Sequence, residues 1–515
     1  MTTNTTTEDR VKAAPSAGSD APPQAPTRAP LTVGKVFART IATAACIALA
    51  TLSVEAIFAI TDLGNEEFVS PDPLFGVSLI KGKSVTFRSE GFSRSKISSI
   101  GLRDVEHTVA KPAGVSRIAF LGDSKTEAMQ VPLNETFVKI VEDQLNKKEQ
   151  TIAQTPAQKS DTPAVPATTA VPAATAKYET INFATSGNGT LVELLHYIHT
   201  VKTYKPDTVV LIYNYGDSGD NGQNGAASSL LARPSASFDK DGHLNVSYQL
   251  LDNWFASDTT RFKVASAWLR SHSRIFQLGT DLDLSLRGDS KGYAAFSDAV
   301  IKPACMAIGK ALVAPGKGMT EVANKAQAER DYLISEVTRL DKAVPRTPIV
   351  APRPDSLNLH AASVESAGFA AVDTMYRQNM ELTGRLVELL NQACKENGTK
   401  FVVVTLPAPD NSTFYFWEVR ALQKLGERQG FNVVDCNKDF PKIAAMEANP
   451  YYYSAHLATP GHKLLAKIIT EALTSPTTTR HNHRRNHFKT TNPKAIVLPL
   501  GKCCHRSDKI GTLPP

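Results

Sequence analysis

The chain has 515 residues, 42% of them hydrophobic and 21% charged, a balance that buries a core and excludes wholesale disorder. Six cysteines without a Cys-x-x-Cys pair exclude a disulfide scaffold and give no support to a zinc ribbon or a thioredoxin-like centre. The net charge of +7 resides in one tail: from Ser475 to Pro515 there are eight basic residues against the single acid Asp508. The rest of the chain is neutral, so no nucleic-acid partner is expected for its body.

In chain order, residues 1–39 open with Thr, Ala, Pro and Ser and read as a disordered cytoplasmic tail. Ile41 to Ile60 then form a twenty-residue apolar run broken by one ionisable group, Glu55, which matches the hydrocarbon thickness of a bilayer. Lys35 and Arg39 precede it, whereas Asp62, Glu66 and Glu67 follow. This asymmetry predicts a single-pass anchor over 40–61, with a cytoplasmic N-terminus and the main domain outside. Three alternatives stand beside it: a signal peptide cleaved near Ala48-Leu49-Ala50, a lipoprotein cysteine at Cys46, and a buried helix of a soluble protein, which Glu55 keeps open. The lead-in, 62–115, shows no periodic run long enough to assign.

Between Arg117 and Leu473 short apolar runs alternate with amphipathic stretches, which predicts a parallel sheet between helices. Strands are expected at Arg117–Leu121, Glu179–Phe183, Thr208–Tyr213, Lys400–Thr405 and Phe431–Asp435. Helices are expected at Leu133–Asn146, Thr190–Tyr204, Val372–Asn397, Glu418–Gly430 and Gly461–Leu473. The fold class is therefore α/β, a three-layer sandwich around a five-stranded parallel, flavodoxin-like sheet over 116–474. Residues 151–176 contain eight Ala, six Thr and four Pro and read as a disordered insertion. A second insertion, about 217–371, holds Trp254 and Trp268 and is expected to form a lid or side lobe. In the tail, 475–515, the spacing of His481, His483 and His487 suits a flexible basic segment better than a metal site.

Ligands of open α/β sheets bind at the carboxyl ends of the strands. The candidate chemistry there is Gly122-Asp123-Ser124 after the first strand, a loop centred on Gly187 after the second, Asn214 to Asp217 after the third, and His456 before the last helix. Ser124 on a strand-to-helix turn exposes its hydroxyl. Gly187 lets a backbone N–H approach an oxyanion, and His456 is placed to accept the serine proton. Asp123 is read as fixing its turn, and Asp217 and Asp220 as a solvated turn rather than a metal site. Tyr451, Tyr452 and Tyr453 suit stacking on a sugar ring or packing under the lid equally.

The segments RIAFLGDSKTEAMQVPLNETF, INFATSGNGTLVELL, VVLIYNYGDSGDN and HLATPGHKLLA, with GLRDVEH upstream and FVVVTLPAPDN, span Gly101 to Leu473. They resemble the blocks of the SGNH/GDSL hydrolase superfamily, in particular its membrane-anchored bacterial members with a long central insertion. The resemblance implies that Ser124 is the nucleophile and first oxyanion donor, Gly187 the second donor and His456 the base, with neither metal nor organic cofactor. Two positions depart from it. The family's third oxyanion donor, an asparagine before an aspartate, is here Gly216, and the acid three residues before the histidine is here Tyr453. An oxyanion donor is typically worth about 10²–10³ in turnover, and the acid that holds a catalytic imidazole about 10⁴. Asn214 is the candidate replacement donor, and Asp435 or Asp410 the candidate acid.

What the resemblance implies is a membrane-anchored serine esterase, or an acyl- or acetyl-transferring enzyme, acting on an ester-bearing substrate such as an envelope polysaccharide. The alternative is a catalytically degenerate protein of the same fold that binds a glycan or a partner. Its membrane partner would be reached through residues 41–60.

Overall fold

The structure is a computed structural model that describes residues 33–61, 67–88, 90–154, 177–214, 216–223, 232–256, 269–270, 273–279, 324–346, 366–407, 413–440, 453 and 456–475, with isolated positions between 282 and 303. The expected tail 475–515, beyond its first residue, lies outside the described residues. So do the first thirty-two residues and most of the Ala/Thr/Pro segment, 155–176.

Helix α1 covers Val33–Thr61, starting seven residues before the expected anchor. It buries no side chain and is long and apolar enough to cross a membrane. Glu55 is not left unpartnered: its carboxylate accepts from the backbone N–H groups of Arg274 at 3.1 Å and Ile275 at 3.3 Å, and from the Ser273 hydroxyl.

The lead-in, which has no legible periodicity, forms two antiparallel hairpins. Strands β1 (Val69–Asp72) and β2 (Gly76–Leu79) pair first. Their turn is fixed by Asp72 Oδ1, which accepts from the N–H groups of Leu74 and Phe75 at 2.8 and 3.0 Å. Strands β3 (Ser84–Phe87) and β4 (Ser93–Lys96) pair second. Strands of four residues are too short for a two-residue alternation to stand out in sequence.

The core sheet consists of β5 (Val115–Leu121), β6 (Lys177–Asn182), β7 (Thr208–Tyr213), β10 (Lys400–Thr405) and β11 (Asn432–Asp435). All pairings are parallel, in the order β11-β10-β7-β5-β6. The chain runs outward from β5 to β6 and then returns past β5 to β7, so the strand order reverses between β5 and β7. That crevice is where doubly wound sheets take ligands. Alternation divides the core cleanly. Ala119, Leu121, Val209, Leu211 and Val403 face one layer, and Ile118, Phe120, Val210, Ile212 and Val404 face the other.

The second layer is built by α3 (Phe137–Gln154) and α10 (Thr459–Thr474), which bury Phe137, Val141, Leu465 and Ile469. The first is built by α4 (Thr190–His199), α8 (Ser366–Glu396) and α9 (Thr413–Gln429). Leu191, Leu194, Leu195 and Ile198 of α4 bury one face, as their spacing predicts. Two expected helices are interrupted. Thr136 is extended at φ −69°, ψ 144°, separating a 3₁₀ turn at Leu133–Glu135 from α3. Thr200 ends α4 before a second 3₁₀ turn, Val201–Tyr204.

Within the long insertion the described parts are a one-turn helix, α5 (Asp217–Asp220), a hairpin of β8 (Ser235–Phe238) and β9 (Leu244–Ser247), and helices α6 (Gln249–Ala256) and α7 (Gln327–Ala343). Leu244, Val246, Leu333, Val337 and Leu340 join the same cluster as α4 and α8. These parts therefore thicken that helical layer, and Trp254 packs against it. Trp268 lies outside the described residues.

Candidate active site

The turn after β5 places Ser124 at the first position of a single helical turn, α2 (Ser124–Glu127). One turn carries little macrodipole, so anion stabilisation must come from individual N–H groups. Asp123 is the N-cap: Oδ1 accepts from Lys125 N at 3.0 Å, and its carbonyl accepts from Thr126 and Glu127 N–H. The turn closes at Ala128, which adopts the left-handed conformation at φ 59°. Asp123 thus fixes the turn, as its position suggests.

Ser124 and His456 meet. His456 Nε2 lies 2.9 Å from Ser124 Oγ, within proton-transfer reach. On the other side of the ring, Nδ1 lies 2.5 Å from Glu90 Oε2. A hydroxyl, an imidazole and a carboxylate therefore form a continuous chain of hydrogen bonds, the arrangement that can activate a nucleophile. Sequence reasoning missed Glu90. It sits on the loop between β3 and β4, followed by Gly91 at φ +70°. A Cβ at Gly91 would stand 2.5 Å from the Gln130 carbonyl and 2.6 Å from the Tyr453 ring, so only glycine lets this loop close over the nucleophile turn. Ser93 Oγ, donating to Met129 O at 2.5 Å, fixes the other end of the loop to the same turn. Tyr453 keeps the histidine segment folded, its N–H donating to the His456 carbonyl at 3.0 Å.

Of the two candidate acids, the one that the structure describes is engaged elsewhere. Asp435 Oδ1 is occupied by Asn437, through its N–H at 3.0 Å and its amide at 2.8 Å. Asp410 lies outside the described residues. Asn214 is not a free oxyanion donor either. Its Nδ2 donates to Asp123 Oδ2 at 2.8 Å and to Asp217 Oδ1 at 2.7 Å, and its Oδ1 accepts from Lys125 Nζ at 3.1 Å. One amide proton ties the loop after β7 to the turn that carries Ser124, and the other is spent within that loop on Asp217. Asp217, expected in solvent, is buried instead, and burial together with Asp123 and Glu193 pushes its carboxyl well above the usual range. Gly216 is exposed at φ +105°.

Gly187 has φ +78° in a turn closed by Asn188 N to Thr185 O at 3.2 Å. Among the described residues, neither its N–H nor that of Ser124 is engaged. Both N–H groups are therefore free to donate to a ligand. The preceding residue, Ser186, donates from its N–H at 2.8 Å, and from its hydroxyl, to Glu127 Oε2. This bond ties the Gly187 turn to the helical turn that carries Ser124.

Glu127 is fully buried, and burial pushes its carboxyl up to about 7 against the opposing pull of Ser186 and Arg103. A carboxyl whose folded pKa is raised contributes stability that is present below its unfolded pKa and lost as pH rises toward the folded one. From pH 5 to pH 8 this group should therefore remove about 2–3 kcal/mol. Urea unfolding of Glu127→Gln, which keeps the acceptor without the titration, should lose that much less than the native chain over the same range; equal losses would refute the assignment.

No protein-family model matches the chain, and no curated protein matches it. Among solved structures, the chain is similar to an acetyl xylan esterase, AlAXEase, at 12% identity over 69% of this chain and 99% of that one, with a TM-score of 0.28.

Proposed function

We propose that this chain is a membrane-anchored serine hydrolase of the SGNH type that cleaves or transfers acyl groups held in ester linkage, with its α/β domain outside the cytoplasm. The observation that carries this reading is the Glu90–His456–Ser124 chain at 2.5 and 2.9 Å. Its placement at the crevice between β5 and β7, where the strand order reverses, supports it further.

In this reading Ser124 Oγ attacks the ester carbonyl carbon while His456 Nε2 takes its proton. The Ser124 and Gly187 N–H groups hold the oxyanion. Collapse of the tetrahedral intermediate breaks the bond to the alcohol oxygen, which leaves with the proton from His456, and the acyl group stays on Ser124. Water, deprotonated by His456, then releases the acid; an acceptor hydroxyl in its place would receive the acyl group. The substrate is an acyl or acetyl ester, on an envelope carbohydrate given where the domain is displayed. The anchor is α1, with Lys35 and Arg39 on its cytoplasmic side.

A second reading, a binding protein on this fold, draws on Gly216 and on the committed amide of Asn214. The two separate in one experiment: the full chain in detergent is treated with a fluorophosphonate probe beside Ser124→Ala. Labelling of the native chain that vanishes in the variant is expected. A folded native chain that takes no label would sink the hydrolase and leave the binding protein.

A further inference from the structure

Arg233 stands apart from the other buried arginines. Arg103, Arg117, Arg330 and Arg385 each make three or more side-chain hydrogen bonds. Arg233 is only 7% exposed, yet its Nε and Nη1 find no acceptor, and it forms no ion pair among the described residues. An unpaired buried guanidinium is costly. The surrounding charges temper the cost without removing it: burial lowers its pKa, and Asp220, Asp123 and Asp217 oppose that.

The fold nevertheless makes room for it. Two glycines with positive φ line its path. A Cβ at Gly76 (φ +85°) would stand 2.9 Å from Arg233 Cγ, and one at Gly187 (φ +78°) 2.5 Å from its Nη2. The stem thus passes over the β1–β2 turn and the head ends against Gly187, whose N–H is free. The residue before the nucleophile, Asp123, is among the acids that act on it. The site also lacks a donor. Gly216 offers no side chain, and the Asn214 amide is committed to Asp123 and Asp217. A charged donor with open hydrogen-bonding capacity therefore lies against Gly187, one of the two free backbone N–H groups assigned to the oxyanion.

We propose that Arg233 is a catalytic residue, the third oxyanion donor, its Nη2 meeting the carbonyl oxygen of the ester beside the N–H groups of Ser124 and Gly187. This rests on the hydrolase reading. The arginine keeps its proton throughout. Its bond to the neutral carbonyl is weak, and it strengthens as negative charge develops on that oxygen in the tetrahedral intermediate. The guanidinium that is unpaired in the resting site is thus paired in the transition state.

The test uses the full chain in detergent and two neutral probes, a fluorophosphonate and p-nitrophenyl acetate, on native, Arg233→Met and Arg233→Lys proteins. Arg233→Met should slow labelling of Ser124 and lower kcat on p-nitrophenyl acetate by about 10²–10³-fold, with KM changing little. Arg233→Lys should recover part of the loss. Because Arg233 gives no side-chain hydrogen bond among the described residues, Met strands no acceptor, and relief of the buried charge should offset the attraction lost to Asp220, so the urea midpoint of Arg233→Met should equal or exceed the native one. Native-rate labelling of Arg233→Met would overturn this role and leave the hydrolase standing, as would an arginine that serves only an anionic part of the substrate. A loss of activity that follows a loss of stability would also overturn it. A native chain that takes no label would overturn the hydrolase reading and this one with it.

Discussion

Replacing Glu90 by glutamine is expected to slow acylation of Ser124 by about 10⁴-fold with the fold retained. The carboxylate lies against His456 Nδ1, where it can accept a hydrogen bond from the ring N–H and so favour the tautomer whose Nε2 lone pair faces Ser124 Oγ. A glutamine amide can turn its N–H₂ to Nδ1 instead. The ring proton then sits on Nε2, facing the hydroxyl that it should deprotonate, and the base is lost although every atom is in place. Asp435→Asn is the control: its carboxylate is bound to Asn437, so labelling by the fluorophosphonate should proceed at the native rate. Labelling of Glu90→Gln at the native rate, or a large defect in Asp435→Asn, would assign the orienting role elsewhere.

The sheet was legible because its strands are buried on both faces. TVVLIY and KFVVVT are continuous apolar runs, and their observed limits, Thr208–Tyr213 and Lys400–Thr405, coincide with the expected ones. Ser124 and His456 were legible because each lies beside a recognisable boundary of an element, Ser124 after β5 and His456 before α10. Glu90 was not, for a topological reason. Ligand groups are expected at the carboxyl ends of the strands, whereas this carboxylate arrives from a hairpin that precedes the sheet in sequence, 366 residues from the histidine that it contacts. One signal pointed there: Gly91 directly after a carboxylate in a segment with no other periodicity, a turn where the backbone needs left-handed freedom. Asn214 was misread for the opposite reason. Its residue type suits an oxyanion donor, but one amide proton goes to Asp217, three residues on, and the other to Asp123, 91 residues away and a neighbour only after the chain folds.

The lead-in that brings Glu90 to the site is held down at the far end of the sheet, and there the largest loss of stability is expected. Arg117 at the start of β5 is fully buried. Its Nε meets Glu179 Oε2 at 2.8 Å, Nη1 donates to the carbonyls of Val109 and Tyr204 at 3.1 and 2.7 Å, and Nη2 to that of Thr108 at 3.0 Å. One side chain thus fastens the lead-in to β6 and to the end of the helix that precedes β7. Arg117→Met fills much of the same volume but leaves three carbonyls without this donor and Glu179 without its guanidinium. Removing one partner from a buried, hydrogen-bonded charge costs about 3–5 kcal/mol, so urea unfolding should show a loss of that size. Lysine, a point charge that cannot span the fork, should recover only a fraction of it. The contrast with Arg233→Met is the sharper test, since both changes remove a buried arginine by the same chemistry. The fully bonded one should cost stability and the unbonded one should not. Equal losses at the two positions would mean that hydrogen-bond satisfaction does not separate the structural arginines of this chain from the one against Gly187.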